Sequence, residues 1–411
     1  MTLIRHSSPR AIGVICVANT GRLYYDNSYL CEFEGQVIDV QPRPPHFRVY
    51  LDRTAFYPES GGQPMDRGTL GGLPVVQVMD EGDTVVHVTE RELPRGLVKG
   101  VIDWPRRFDH MQQHTGQHVI SAAFEKLAEA TTVGFHLGSE SSTIDLDTDR
   151  LGHRQVEQAV ELANQVVFEE RPLHIRYCDA AEVKQMDLRK PTQRGGIIRM
   201  VEVEGFDRSA CGGTHVSRTG GVGLILLRKI ERRKDVTRVE FVCGGRAFRC
   251  ARHDYEFLTK AAGIFSTTGE NVPALISQQA EDLRSALRSR EKLLERLCEY
   301  RARELWAAAP EKHGVKIVRM VFPAGESLEA KLFAHAVAKQ PLAVGLIGVE
   351  GEPAVLFFSQ SVGGPFNMGA IMQQTVAQVG GKGGGAQDFA QGGGLFEGKL
   401  ADALTFAEGL V

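Results

Sequence analysis

The sequence of 411 residues has no apolar run close to the roughly 20 residues that a membrane-spanning helix needs. The longest early apolar run, Ile12 to Ala18, is too short, and it lacks the small-residue cleavage site of a signal peptide. Seven cysteines are spread along the chain, without the dense spacing of a secreted disulfide scaffold. We therefore expect a protein of the reducing cytoplasm, with no membrane partner.

The sequence also lacks an excess of positive charge. A net charge of −3 provides no global field that attracts nucleic acid, so such contacts must come from local patches. Lys382, within the C-terminal glycine tract, could approach phosphate because glycines let the backbone come close. The densest basic stretch is our candidate for binding nucleic-acid phosphates, and the solvated tip of a hairpin explains it equally well. The stretch consists of Arg228, Lys229, Arg232, Arg233, Lys234 and Arg238.

The residue patterns predict an α+β protein with four segments. Short β-rich runs between Gly, Pro and Asp turns predict an N-terminal β-barrel over residues 1–105, which includes a glycine-rich loop. Helical spacing from Arg106 onward, followed by strand patterns, predicts an α+β core over 106–250. An amphipathic pattern predicts a helical linker over 251–312, either a coiled coil that forms a homodimer or a helical hairpin. Residues 313–411 read as a glycine-rich α/β domain.

Two pairs of metal-binding side chains occur at the same spacing. His114-Thr-Gly-Gln-His118 places two imidazoles on one helical face, where they can share an ion. Cys211-Gly-Gly-Thr-His215 adds a thiolate and a third imidazole, a donor set suited to zinc. Thr115 stands where the zinc-protease signature needs glutamate, which disfavours peptide hydrolysis. We expect His110 to be a packing or hydrogen-bonding neighbour of the site rather than a ligand.

Three further segments complete a joint pattern with these two pairs. They are Thr54-Ala-Phe-Tyr-Pro-Glu-Ser-Gly-Gly-Gln63, Gly134-Phe-His-Leu-Gly138 with Thr143-Ile-Asp-Leu146, and Thr237-Arg-Val-Glu-Phe-Val-Cys-Gly-Gly-Arg246. Together they resemble the editing domain of alanyl-tRNA synthetase and its free-standing relatives, the AlaX-type editing proteins. The C-terminal glycine tract is similar to the tRNA-binding C-terminal domain of that synthetase, as in the long AlaX form. Gly116 departs from the pattern, in which alanine is common.

The resemblance implies a trans-editing hydrolase that cleaves the ester joining a wrong amino acid, usually serine and sometimes glycine, to alanine tRNA. It also implies that His114, His118, Cys211 and His215 bind Zn²⁺, which makes residues 106–250 a zinc-binding editing core. Four protein ligands would close a zinc tetrahedron. Either one ligand is then loose, or the coordination expands, or the ion chiefly orients the terminal adenosine. We favour an ion that positions the substrate, with a neighbouring water as nucleophile.

Two other functions stay open at this stage. One is a non-catalytic tRNA-binding module with structural zinc, and the other is a deacylase for another misacylated tRNA. A full synthetase is not expected, because only about 50 residues precede the glycine-rich loop, too few for an adenylation domain.

Selection of serine over alanine requires polar groups that pair with the extra hydroxyl. Thr54 and Gln63 on the glycine-rich loop are the candidates for this catalytic contact, and turn capping is the alternative role. Replacing Thr54 by valine is expected to weaken discrimination between seryl and alanyl esters. The measurement is the ratio of the two deacylation rates, and unchanged rates on both esters would remove Thr54 from the mechanism.

Overall fold

The computed structural model describes residues 19–190, 196–395 and 398–411. It contains two compact units, Met1–Thr259 and Lys260–Val411. Residues 1–18 of the predicted barrel segment lie outside the described residues. Helices and strands alternate in both units, which confirms the α+β class. The division into four segments stays a prediction.

The first part of unit one is a barrel of six strands. The hydrogen-bonded order β2-β3-β7-β6-β5-β8 closes on itself. Strand β2 alternates exposed and buried positions, so Phe33 and Val37 point into a core that also contains Leu51 and Phe56. The elements of this part are β1 (Gly21–Arg22), α1 (Leu23–Asp26), β2 (Glu32–Arg43), β3 (His46–Leu51), β4 (Arg53–Thr54), β5 (Gly68–Leu70), β6 (Leu73–Glu81), β7 (Thr84–Thr89) and β8 (Gly96–Ile102).

Helix α2 (Trp104–Ala128) leaves the barrel and runs through the core of unit one. Asp103 caps its N-terminus by accepting a hydrogen bond from the Arg106 amide, and Pro105 occupies the first turn. The helix ends at Glu129, which has a left-handed backbone conformation. Apolar residues of one face, among them Val119 and Phe124, pack in the central hydrophobic core. This burial fixes the direction of the opposite, polar face.

Two sheets, three α-helices and a short 3-10 helix (Thr219–Val222) complete the described part of unit one. A four-stranded sheet has the order β14-β15-β10-β9, and a three-stranded sheet has the order β11-β12-β13. The hairpin β14–β15 turns between Arg233 and Val236. The elements are β9 (Thr132–Leu137), β10 (Ser142–Leu146), α3 (His153–Phe168), β11 (Leu173–Cys178), α4 (Ala180–Lys184), β12 (Ile198–Val203), β13 (Asp207–Ala210), β14 (Ile225–Arg233), β15 (Val236–Cys243) and α5 (Gly244–Ile264), whose last residues belong to unit two.

After the last residues of α5, unit two consists of a long helix and a six-stranded mixed sheet flanked by shorter helices. Its strand order is β16-β17-β18-β19-β21-β20. Apolar residues of β18 and β19 are buried between helices on the two faces of the sheet. The elements are α6 (Val272–Ala308), β16 (Glu311–Lys312), β17 (Val315–Phe322), α7 (Ser327–Ala338), β18 (Ala343–Val349), β19 (Ala354–Gln360), α8 (Met368–Val379), β20 (Lys382–Gly385), β21 (Phe389–Leu395) and α9 (Leu400–Gly409).

Helix α6 has one anchored end and one exposed face. Cys298 and Ala302 are buried near its C-terminus, and Trp306 Nε1 donates to the Pro341 carbonyl at 2.9 Å. Leu283 and Leu287 are exposed on an earlier part of the helix. Homodimerisation through this helix stays a prediction. None of the helices in the described ranges combines the length and apolar character needed to cross a membrane.

A buried histidine lies inside the barrel and contacts the predicted site residue Thr54. His87 Nε2 lies 2.8 Å from Thr54 Oγ1, and Nδ1 lies 3.4 Å from the Val49 carbonyl oxygen. Burial lowers the pKa of His87 to about 4, against a weaker opposing effect of the Val49 carbonyl. The imidazole is therefore neutral in the folded barrel at neutral pH.

We predict that this histidine destabilises the barrel in acid. Between pH 6.5 and about 4 the unfolded chain binds a proton that folded His87 excludes. The free energy of unfolding should therefore fall as the pH decreases, by about 1.4 kcal/mol per pH unit. Denaturant titrations of the wild type and His87→Gln check this: the stability advantage of the wild type should shrink from about pH 7 to about pH 5. An advantage that is the same at both pH values would contradict the prediction.

Candidate metal centre

Four metal-binding side chains converge from two distant parts of the chain. Helix α2 carries His114 and His118 one turn apart, and the segment after β13 carries Cys211 and His215. Cys211 Sγ lies 3.4 Å from His114 Nε2 and 3.3 Å from His215 Nε2. One donor atom from each of the four residues lies within 4.8 Å of the others. All four donors are thus close enough to bind a single ion.

The donor set and its spacing fit zinc. Tetrahedral zinc with ligand bonds of about 2.3 Å to sulfur and about 2.0 Å to nitrogen separates the sulfur from each nitrogen by roughly 3.5 Å. The two sulfur–nitrogen distances are close to this value. Thiolate and imidazole ligands are also the combination that favours zinc over magnesium or calcium.

Each imidazole has a hydrogen-bond partner at its other ring nitrogen. His114 Nδ1 lies 2.8 Å from Gln63 Oε1, and His118 Nδ1 lies 3.0 Å from Asp207 Oδ2. The third imidazole contacts the Thr115 hydroxyl through Nδ1, at 3.2 Å. An Nδ1–H that donates to such an oxygen leaves the Nε2 lone pair free for a metal. The three partners therefore orient all three imidazoles toward the same point.

Asp207 and Thr115 were not identified as partners from the sequence. Asp207 lies on β13, and its other oxygen accepts a hydrogen bond from Arg189 Nε at 2.7 Å. Burial raises the pKa of Asp207, but hydrogen bonds and charges from His118 and Arg189 outweigh it and lower the pKa. The carboxylate is therefore ionised although it is buried. No spacing rule links Asp207 to His118 on α2, so the sequence contained no signal for this contact.

The charges of the cluster suit a cation. Burial raises the pKa of Cys211, but the charges of His114 and His215 and hydrogen bonds from the imidazoles hold it well below its usual value. Burial lowers the pKa of His118, but hydrogen bonds to Asp207 and Cys211 outweigh it and raise the pKa to about 9. The thiolate is thus formed in the folded protein. Metal ligands must be deprotonated, so a bound cation would replace the proton of His118.

Two glycines let the segments of the site approach closely. A Cβ atom at Gly213 would overlap the ring of His114. A Cβ atom at Gly116 would overlap Cys243 Sγ on β15 and would lie 3.3 Å from Val222 Cγ1. Glycine instead of alanine at position 116 therefore leaves room for the side chain of Cys243. The two histidines of the helix keep their positions.

The glycine-rich loop, residues 54–68, is held against α2 by a buried ion pair. Asp66 and Arg107 are both fully buried, and Arg107 Nε donates to both Asp66 oxygens at 3.0 Å. Asp66 also closes the loop, since it accepts a hydrogen bond from the Tyr57 amide at 2.7 Å. Gln63 is thereby placed beside His114, and its Nε2 donates to Thr214 Oγ1 at 2.9 Å.

The structure shows no exposed surface on the two predicted catalytic residues. Gln63 and Thr54 are both fully buried. Gln63 contacts the metal cluster through His114, whereas the Thr54 hydroxyl contacts His87 and accepts from the Phe56 amide at 3.1 Å. A direct contact of either side chain with the substrate stays a prediction.

The predicted basic stretch is largely paired with carboxylates. Arg238 forms two hydrogen bonds of 2.7 Å with Asp145, and Arg232 lies 3.0 Å from Asp149. The remaining four cations pair with acidic groups as well: Arg228 with Asp254, Lys229 and Arg233 with Glu231, and Lys234 with Asp235. This pairing reduces the positive charge available to phosphate. Lys382 is exposed at the start of β20 in unit two, and tRNA binding by all these residues stays a prediction.

The metal cluster opens into a cavity of about 310 Å³, which we call the cluster cavity. His114, His118 and Cys211 line it, together with Gly61 of the glycine-rich loop and Phe135 of β9. A ligand of this cavity would therefore contact the donor side chains directly. The predicted neighbour His110 does not line it.

Two known domain families match parts of the chain. Residues 198–240 match the family described as threonyl and alanyl tRNA synthetase second additional domain, and 330–411 match the DHHA1 domain. The alanyl-tRNA editing protein AlaX-L of Pyrococcus horikoshii is 32% identical over 389 residues, which cover 90% of this chain and 94% of that protein. The alanyl-tRNA editing protein Aarsd1-B of Xenopus laevis is 37% identical over 214 residues, which cover 51% and 52%.

The alanine–tRNA ligase of Pyrococcus abyssi is 31% identical over 390 residues, covering 91% of this chain but only 42% of the ligase. These similarities place the chain among the aminoacyl-tRNA hydrolases, the enzyme class of the editing proteins. Within that class, the chain belongs to the AlaX-type alanyl-tRNA editing proteins, which confirms the resemblance recognised from the sequence motifs.

We predict that Gly213→Ala lowers the metal content of the protein, because the added methyl group displaces His114. Overpacking of this kind costs about 1–3 kcal/mol. Elemental analysis of dialysed protein measures the zinc bound per chain. Gly212→Ala is the matched control: a Cβ atom there lies 3.5 Å from Tyr25 Oη, an ordinary contact, so zinc should be retained. Equal zinc content in the two variants would contradict the prediction.

Proposed function

We propose that the protein deacylates mischarged alanine tRNA in trans, chiefly seryl-tRNA(Ala) and also glycyl-tRNA(Ala), by zinc-dependent ester hydrolysis. The observation that carries the proposal is the convergence of one thiolate and three oriented imidazoles at a cavity. Relatives named as alanyl-tRNA editing proteins support the substrate class. An aminoacyl ester is already activated, so positioning and charge stabilisation suffice to hydrolyse it.

The side chains of the cluster have separate tasks in this proposal. His114, His118, Cys211 and His215 hold the zinc ion. When bound, zinc supplies positive charge that polarises an ester oxygen. Gln63 acts through His114, whose ring it orients by a hydrogen bond at Nδ1. Thus the glycine-rich loop shapes the site through a ligand, in addition to any contact that it makes with the substrate.

Selection for serine and binding of the tRNA body are further parts of the proposal. Thr54 and Gln63 belong to the loop that borders the cluster cavity, which supports a role in recognising the seryl hydroxyl. The candidates for contacts with tRNA phosphates are the exposed Lys382 and the basic stretch of the β14–β15 hairpin, which consists of Arg228, Lys229, Arg232, Arg233, Lys234 and Arg238. The partner is thus tRNA, and the DHHA1 match of unit two is consistent with it.

A panel of misacylated tRNAs tests the proposed function. The zinc-loaded wild type should deacylate seryl-tRNA(Ala) faster than alanyl-tRNA(Ala). A chelator, Cys211→Ala or His114→Ala should each lower the rate on the order of a hundredfold, because loss of the ion removes several kcal/mol of charge stabilisation. Cys250→Ala is the matched control, because this partly buried cysteine lies outside the cluster.

Other outcomes of this panel would identify the alternatives. Binding of zinc and tRNA without any deacylation would indicate a non-catalytic tRNA-binding module. Faster hydrolysis of a threonyl or glycyl ester on another tRNA would indicate a deacylase of different specificity. Either result would overturn the proposed substrate.

A further inference from the structure

A second cavity, of about 600 Å³, lies one helical turn along α2 from the metal cluster. We call it the arginine cavity. It is formed where the glycine-rich loop, α2, the end of β9 and the start of α5 meet. The lining residues used below are Pro64, Arg106, Phe108, His110, Gly138 and Arg249.

The arginine cavity and the cluster cavity are consecutive along three shared elements. The glycine-rich loop contributes Gly61 to the cluster cavity and Pro64 to the arginine cavity. Helix α2 contributes His114 to the first and His110 to the second, a separation of about 6 Å along the helix. Likewise, β9 contributes Phe135 to the cluster cavity, and the segment after β9 contributes Gly138 to the arginine cavity. The two cavities are therefore neighbours along these three elements.

Two cations in the arginine cavity are available to a ligand. Arg249 is exposed and has no hydrogen-bond or ion-pair partner among the described residues. Arg106 donates through Nε to the Met65 carbonyl at 3.2 Å, and its terminal nitrogens have no partner in the described part of the chain. Burial and then the charge of Arg67 lower the pKa of Arg106, against weaker opposing charges of Asp66, Asp103 and Asp109, none of which forms an ion pair with it. This differs from the paired cations of the β14–β15 hairpin.

A buried polar group of the cavity wall also lacks a partner. His110 is 2% exposed, and its Nδ1 has no hydrogen-bond partner within the described ranges. Burial and then the charge of Arg106 lower the pKa of His110 to about 3, so the ring is neutral and carries one donor and one acceptor. Buried polar groups are nearly always satisfied. An unsatisfied one at a cavity wall points to a polar ligand.

We propose that the arginine cavity binds a phosphodiester group of the single-stranded 3′ end of the tRNA, an inference that rests on deacylation at the cluster cavity. Arg106 and Arg249 contact the phosphate oxygens, for which the guanidinium group is well suited. The half-buried ring of Phe108 offers an aromatic face to the adjoining base. Sites that bind single-stranded nucleic acid commonly combine basic side chains along the phosphate backbone with aromatic rings that stack on the bases.

Kinetics on two substrates test the proposal. The variants are Arg106→Gln and Arg249→Gln, and the substrates are seryl-tRNA(Ala) and 3′-O-seryl-adenosine, which has no phosphate. Each variant should lower kcat/KM on the tRNA about tenfold, the effect of one charged hydrogen bond, and leave the adenosine ester unaffected. Arg252→Gln is the control: Arg252 lies on the same helix α5, pairs with Glu256 and does not line the cavity, so both rates should be unchanged.

Binding of the trinucleotide CpCpA separates this proposal from the proposed reaction. The slope of log affinity against log salt should decrease by about 0.7 for each arginine removed, and it should be unchanged in Arg252→Gln. Arginine-dependent binding without deacylation would support the phosphate site and overturn the reaction. Deacylation with no effect of Arg106→Gln or Arg249→Gln on either measurement would overturn the phosphate site alone. Equal losses on both substrates would overturn it too, because they indicate general distortion.

Discussion

The buried ion pair between Asp66 and Arg107 determines how the barrel and the metal centre fit together. Both side chains are fully buried, and Arg107 also donates to the carbonyl oxygens of Ser28 and Ala55. Removing one partner of such a pair leaves an uncompensated charge, at a cost of about 3–5 kcal/mol. The pair therefore holds the glycine-rich loop, which connects barrel strands β3 and β5, against the helix that carries His114. Together with the hydrogen bonds of Gln63 to Thr214 and His114, it keeps Gln63 beside the cluster.

The metal centre depends on this placement because its ligands are oriented by different parts of the chain. Gln63 comes from the loop, Asp207 from β13 and Thr115 from the helix itself. Each of them fixes one imidazole through Nδ1. The geometry of the cluster therefore depends on how the loop, β13 and the helix pack together. A rigid arrangement of this kind suits a site that must hold an ion and its substrate in fixed positions.

The donors of the site could be predicted from the sequence, but most of their partners could not. The spacing in His114–His118 and Cys211–His215 is local, so it is visible without a structure. Asp207 contacts His118 across 89 positions of sequence, and only strand and helix packing brings them together. From the sequence, Thr115 shows only that the glutamate of a zinc protease is missing at this position. In the structure, its hydroxyl contacts His215. The fold class could be predicted for the same reason, because the sequence patterns that distinguish helices from strands are also local.

The distribution of charge shows the same limit of sequence reasoning. The six cations of residues 228–238 form the densest basic run in the sequence, yet antiparallel pairing places Arg238 opposite Glu231 on one side and Asp145 on the other. The sheet therefore supplies Glu231 and Asp145, while the other carboxylates that neutralise the run come from α5, from the hairpin turn and from the segment after β10. Arg106 and Arg249 are 143 positions apart (249 minus 106) and lie outside this run, but they line one cavity and have no acidic ion-pair partner among the described residues. The charge available to phosphate thus depends on tertiary pairing, and counting basic residues along the chain does not locate it.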